Sequence, residues 1–268
     1  MRFIAITSGK GGVGKSTISA NCAYMLSQLG YKVAVFDADI GLANLDIIYN
    51  VTPKKNILHV MKGEAEFEDI LVKLNNNLYL IPGESGEEIL NFDESELVER
   101  FLSSLEKFDD FDFLIIDTGA GIGEHVRSFI RAASDVVVVT VPDPSAIMDA
   151  YAMIKYSSRV IDSIYMIINE TKSKKEALSI FGKIKSVAQN HLESDIDIEL
   201  LGILEESHII RESSKNRTLF VKEHPFSRPS SQMLEIIKKL TKNVDKEGSE
   251  IGKNSSIAAF FRKLLNRF

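Results

Sequence analysis

Little in this sequence supports disulfide, extracellular or membrane-spanning chemistry. One cysteine, Cys22, occurs among 268 residues. No disulfide framework and no cysteine-rich metal site can therefore form within one chain, and Cys22 reads as a small buried apolar residue. The five histidines, at 59, 125, 191, 208 and 224, are scattered without metal-ligand spacing. No apolar run approaches the ~18 residues that crossing a bilayer requires, and no signal peptide precedes the first strand-like run. An excess of positive charge is missing too. The 32 Lys and Arg against 38 Asp and Glu leave a net charge of −6, which argues against a surface built mainly for nucleic acid. These absences point to a cytoplasmic protein. Its apolar content of 44% is enough for a substantial core.

What is present is an alternation of apolar strand-like runs with helical periodicities. Strands are expected at 2–7, 32–36, 78–81, 113–116, 136–141, 163–168 and 198–204. Helices are expected at 15–30, 55–62, 67–73, 94–107, 145–160, 173–191 and 227–243. Several strands are apolar throughout, so the expected fold is α/β, a mostly parallel sheet covered by helices on both faces. Residues 1–243 form one domain on this reading, 244–256 a polar linker and 257–268 a separate amphipathic helix.

The stretch Ser8-Gly-Lys-Gly-Gly-Val-Gly-Lys-Ser-Thr17 lies between the first strand and the first helix. Gly9, four residues, Gly14, Lys15 and Ser16 fit the phosphate-binding loop of P-loop NTPases. Glycines let backbone N–H groups turn in around an anion, and the helix behind them points its positive dipole end at it. Lys15 adds a full charge at the terminal phosphates, and the Ser16 hydroxyl suits Mg²⁺. A glycine-rich turn that binds nothing is the competing reading, and the order strand, loop, lysine, helix weighs against it. Asp117 closes an apolar strand, where P-loop proteins place a Mg²⁺-holding carboxylate; a helix cap is its alternative. Asp37 and Asp39 flank one alanine after a strand. One suits the metal and the other the attacking water, or both are solvated loop acids.

Lys10–Thr17 resembles the deviant Walker A motif of the MinD/ParA class of ATPases. Phe36–Asp46 resembles the switch segment of that class and looks most like its FlhG branch, also called FleN or YlxH. Asp117–Gly121 and Pro142–Ala152 are similar to FlhG stretches as well. The resemblance covers roughly residues 2–240 and implies roles residue by residue. The loop Gly9, Lys10, Gly11, Gly12, Val13, Gly14, Lys15, Ser16 and Thr17 would cradle ATP, with Lys15 on the β- and γ-phosphates and Thr17 near the α-phosphate. Ser16, Asp37 and Asp117 would serve Mg²⁺, and Asp39 would position the hydrolytic water. Lys10 would reach a partner's ATP across a dimer interface and pair with Asp149 in one nucleotide state. Asn169 would read adenine, although a polar strand terminus explains it too. Two departures stand out. Many relatives have a proline near Leu204-Glu205-Glu206, absent here, and many FlhG proteins carry an FlhF-stimulating helix ahead of the first strand, where this sequence begins at the strand.

Ile257, Phe260, Phe261, Leu264, Leu265 and Phe268 fall at helical spacing on one stripe, flanked by Arg262, Lys263 and Arg267. This predicts a short helix lying in an anionic membrane interface. The same stripe would also suit a helix packed on its own domain or on a partner. The resemblance thus implies a Mg²⁺-dependent ATPase that dimerises with ATP and associates reversibly with the inner face of the cell membrane. It would regulate flagellar number or placement, with FlhF and basal-body C-ring proteins as partners. A MinD-type division-site regulator, a ParA-type DNA partition ATPase and a small-molecule phosphotransferase or ligase are the alternatives, and nucleic acid is not expected as a partner.

Overall fold

A computed structural model describes residues 1–39, 44–83, 105, 110–192, 196–242 and 256–265. Eight strands form one sheet in the order β3-β4-β2-β5-β1-β6-β7-β8. They are β1 Arg2–Ser8, β2 Val33–Ala38, β3 Val72–Lys73, β4 Leu78–Ile81, β5 Phe113–Ala120, β6 Asp135–Thr140, β7 Ser163–Thr171 and β8 Asp197–Glu205. Every pairing is parallel except β3 with β4. The helices are α1 Lys15–Gln28, α2 Leu45–Tyr49, α3 Ile57–Met61, α4 Phe67–Ile70, α5 Glu124–Ala132, α6 Pro144–Ser157, α7 Lys174–His191, α8 His208–Lys215, α9 Phe220–Glu223, α10 Arg228–Thr241 and α11 Ile257–Leu265.

The central strands are buried on both faces, which is why they read as continuous apolar runs. Alternate residues of β1 show the division. Ile4 and Ile6 pack with α1 and α10, while Phe3 and Ala5 face the opposite layer of α5, α6, α7 and α11. The expected parallel α/β sheet with two helical layers is what forms. Differences are local. The pattern at 67–73 shortens to α4, and Val72–Lys73 instead adds an antiparallel edge strand. Helices α2, α5, α8 and α9 were not legible as periodicities, being short or joined to functional loops. The helix expected at 94–107 lies outside the described residues except for Leu105, as does the linker 244–256 except for Ser256.

The tail departs most from its expected free state. Helix α11 is seated on the domain, with Ile257, Phe260, Phe261 and Leu264 each at most 1% exposed. Phe260 stacks on Phe3 with ring centroids 5.0 Å apart, and Phe261 meets Phe36 at 5.7 Å. Phe36 also packs edge-on against Phe129 of α5. The stripe finds an apolar face of matching width on its own chain and covers it. Phe268 lies outside the described residues. Among those residues no helix is long and apolar enough to cross a membrane.

Candidate nucleotide site

The sheet's carboxyl ends gather the chemistry. β1 runs into the loop at Gly9–Gly14, and α1 leaves it with Gly14 as its N-cap. Gly14 sits at φ 86°, and a Cβ there would come 2.4 Å from Asn169 Nδ2. Only glycine meets both demands. The register sets Asp117 of β5 beside Ile6 of β1 and directly opposite Asp37 of β2. A cavity of about 800 Å³ opens above these strand ends, a size suited to a nucleotide. Gly11, Gly12, Gly14, Lys15, Ser16 and Thr17 line one side, and Asp39, Asn44, Ala120 and Asn169 also border it. Val13 keeps its side chain buried in the core and offers its carbonyl to Asn169.

Lys15 is 6% exposed, and its ammonium lies 2.9 Å from Asp117 Oδ1 and 3.7 Å from Asp39 Oδ2. Ser19, one turn further along α1, donates to the same Asp117 oxygen at 2.9 Å. The other oxygen, Asp117 Oδ2, is buried without a hydrogen-bond partner. Buried carboxylate oxygens are rarely left so, and this one suits a hydrated cation. Asp39 is partly buried; its carboxyl is raised above the ordinary value by burial, against the lowering effect of Lys15. It therefore holds a proton more readily than a solvated aspartate does.

Asp37 holds backbone in this structure. Its carboxylate accepts from the backbone N–H groups of Asp39, Asn44 and Leu45, at 3.4, 3.0 and 2.9 Å. Oδ2 pins the start of α2 through Asn44 and Leu45, so the structure gives Asp37 a backbone-holding role. Burial, and next the neighbouring Asp117, push its pKa from 3.8 up to about 7 despite those donors. An unfolded chain releases this proton first as pH rises. The native state therefore binds more protons between these two values, and stability is lost as pH rises through that window. Urea midpoints of the wild type should fall between about pH 5 and 7.5, and Asp37→Asn, which keeps an acceptor without the charge, should flatten that fall. Parallel pH profiles for the two proteins would remove Asp37 as the source.

Lys10 projects from the loop. Its ammonium lies 3.0 Å from Asp143 Oδ1 and 2.7 Å from Ser145 Oγ at the start of α6. Asp143 is also the helix's N-cap, accepting from the N–H of Ala146, and Ser145, Ala146 and Lys10 together hold its carboxyl below the ordinary range. The expected partner Asp149 is not the one used here. A Cβ on Gly9 would strike its backbone at 2.4 Å, so Asp149 packs beneath the loop.

Asn169, 5% exposed, donates from Nδ2 to Val13 O at 2.8 Å. That bond leaves its Oδ1 to accept from an amino group. Beyond it a smaller cleft of about 130 Å³ is bordered by Glu170, Glu205, Glu206, Ser207, Ile210 and Arg211. Helix α8 supplies a wall that the sequence did not announce. Ile210, Arg211 and Ser214 border the large cavity, and Ser214 Oγ lies 3.5 Å from Thr17 Oγ1. Nothing in the spacing of these residues links them to a loop two hundred positions earlier. Ser19, four residues after Lys15, was open to a helical-wheel argument.

The comparisons with known proteins agree with this geometry. The family model described as "ParA: NUBPL iron-transfer P-loop NTPase" matches residues 1–241. The flagellum site-determining protein YlxH of Helicobacter pylori is 43% identical over 265 residues, covering 98% of this chain and 90% of the relative. The antiactivator FleN of Pseudomonas aeruginosa is 32% identical over 246 residues, covering 90% and 86%. Among solved structures, the MinD cell division protein of Aquifex aeolicus superposes with a TM-score of 0.73 at 25% identity, covering 90% of this chain and 98% of that one. The septum site-determining protein MinD of Pyrococcus horikoshii, complexed with Mg-ADP, gives 0.72 at 25% identity, covering 91% and 97%. With its two-lysine loop, its sheet-end carboxylates and these relatives, the chain belongs to the ParA/MinD family of P-loop NTPases, in its FlhG (FleN/YlxH) branch.

Proposed function

We propose that this protein hydrolyses ATP to ADP and phosphate and that its output is a change of association. Two ATP-loaded copies join, their tail helices bind anionic lipid at the inner face of the cell membrane, and hydrolysis reverses both steps. The name of one relative, a flagellum site-determining protein, favours regulation of flagellar number or placement. FlhF and C-ring proteins are then the partners. The likeness to MinD structures keeps division-site regulation as the second reading.

The observation that carries the proposal is the meeting of Lys15 and Asp39 on the wall of one cavity, with the buried Asp117 behind Lys15 and with Lys10 held outside it. Backbone N–H groups of the loop and the first turn of α1 hold the phosphates. Lys15 would exchange its carboxylate contacts for phosphate oxygens, which are anionic acceptors of the same kind. Ser16 Oγ and the unpartnered Asp117 Oδ2 fit Mg²⁺, an ion commonly held by one or two protein groups plus phosphates. An ion held there would supply positive charge against the phosphoryl oxygens. Asp39 orients the attacking water. Lys10 leaves Asp143 and Ser145 to reach the partner copy's phosphates.

The tail enters through α5. This helix begins three residues after Gly121, directly behind the turn that follows Asp117, and α11 rests against it. A shift of that turn with the γ-phosphate moves the seat of α11. Exchanging a protein seat for acyl chains keeps the apolar stripe buried, and Arg262 and Lys263 add attraction to anionic lipid. A single helix of this length binds a membrane weakly, whereas two on one dimer gain avidity.

Lys10→Ala tests the central step. It is expected to bind an ATP analogue within about three-fold of wild type, since phosphate contacts from Lys15 and the loop remain, and to stay monomeric with ATP by multi-angle light scattering. Unchanged ATP-dependent dimerisation would remove Lys10 from the interface.

A further inference from the structure

A second cleft lies on the α1 face of the sheet, separate from the nucleotide cavity. About 320 Å³ opens between α1, the end of α2, the β3–β4 turn and the segment joining α8 to α9. Tyr24, Ile48, Val51 and Leu74 give it apolar walls. Lys73, Arg217 and Lys222 border it with exposed side chains. Among the described residues none of these three cations has an ion-pair partner. Glu223 is the one carboxylate on the lining. Three unpaired cations gathered at one concave place repel one another, and they stand out in a chain of net charge −6. The backbone is strained at the same rim. Of three non-glycine residues with positive φ among the described residues, Asn50 at 53° and Arg217 at 57° both border the cleft.

We propose that this cleft takes an acidic segment of a partner protein, with carboxylates on Lys73, Arg217 and Lys222 and an apolar side chain against Ile48, Val51 and Leu74. Charge complementarity selects the acid, and the recessed apolar wall selects a peptide side chain over a flat lipid surface or a small polyanion. The site also has a route to the nucleotide. Ile48 borders both this cleft and the nucleotide cavity. It belongs to α2, whose first N–H is held by Asp37 and whose Tyr49 hydroxyl donates to Ala20 O on α1 at 2.9 Å. A partner pressing on α2 therefore changes ATP affinity, and ATP changes partner affinity by the same factor. This coupling rests on the ATP reading above; the binding itself does not.

The experiment is selection from a display library of random short peptides on the full chain, followed by fluorescence anisotropy with the selected peptides. Asp and Glu should be enriched around an apolar residue. The Lys73→Glu/Arg217→Glu protein should bind these peptides at least about ten-fold more weakly, the loss expected when a desolvated charge pair is broken. Lys62→Glu/Lys183→Glu, the same charge change elsewhere on the surface, should bind as wild type does. Saturating peptide should shift the affinity for a fluorescent ATP analogue by about five-fold or more. Selected peptides without acidic enrichment, equal binding by the cleft variant, or equal loss in the control variant would overturn the proposal. So would displacement by inorganic triphosphate or phosphatidylglycerol vesicles whose own binding the cleft variant abolishes, since the cations would then serve those anions. A protein that binds peptide through the cleft but binds no ATP analogue would sustain the cleft and sink the ATP reading.

Discussion

Asp39→Ala is expected to slow ATP turnover by about two to four orders of magnitude, the range that a positioned proton acceptor contributes, while ATP affinity changes only a few-fold. The expectation comes from geometry. Asp39 follows β2 at the cavity rim, 3.7 Å from the Lys15 ammonium, and a Cβ on Gly119 would stand 3.4 Å from its Oδ1. It thus borders the cavity beside Lys15. Its raised pKa makes it a better acceptor than a solvated aspartate. Lys15 also has Asp117, so removal of Asp39 leaves the lysine in place. Phosphate release at saturating ATP, beside titration with a fluorescent analogue, separates the two effects. A dimer that persists with ATP and no longer dissociates is the expected companion result. Normal hydrolysis would take Asp39 out of the mechanism.

Phe260→Glu is expected to unseat the tail and also to abolish its binding to lipid. Phe260 is 1% exposed against Phe3. Loss of a buried phenylalanine costs about 3–5 kcal/mol, and a carboxylate in its place finds no partner in an apolar seat. Amide exchange across 257–265 should lose its protection, with α5 partly deprotected, while ATP-analogue binding is kept. The freed helix carries an acid on its lipid-facing stripe, so ATP-dependent sedimentation with anionic vesicles should disappear. Phe260→Leu, apolar and smaller, should retain sedimentation. Sedimentation that survives Phe260→Glu would leave α11 as a packing element and end the membrane reading.

These two residues also mark how far the sequence reaches. The phosphate loop is legible because everything that defines it lies within one strand–loop–helix unit, from Ser8 to Thr17. Asp117 is legible because an apolar run ends on it, and the parallel sheet because doubly buried strands carry no polar alternation. The role of Asp37 was not legible. Two of its three backbone donors, Asn44 and Leu45, are brought to it by the fold-back of α2, and its raised pKa arises first from burial and next from a register that sets it opposite Asp117. Arg211 and Ser214 reach the cavity from a helix remote in the chain, so no local pattern could mark them.

The sequence by itself determined the loop, the carboxylates that follow the apolar runs, the order of elements and an amphipathic tail, because each depends on near neighbours or on a short period. The tertiary structure alone decided which carboxylate pins backbone and which meets Lys15, which residue restrains Lys10, and where the tail rests. An apolar stripe has the same spacing whether it faces lipid or protein. Phe3, Phe36 and Phe129, brought together from β1, β2 and α5, supply the face that seats it.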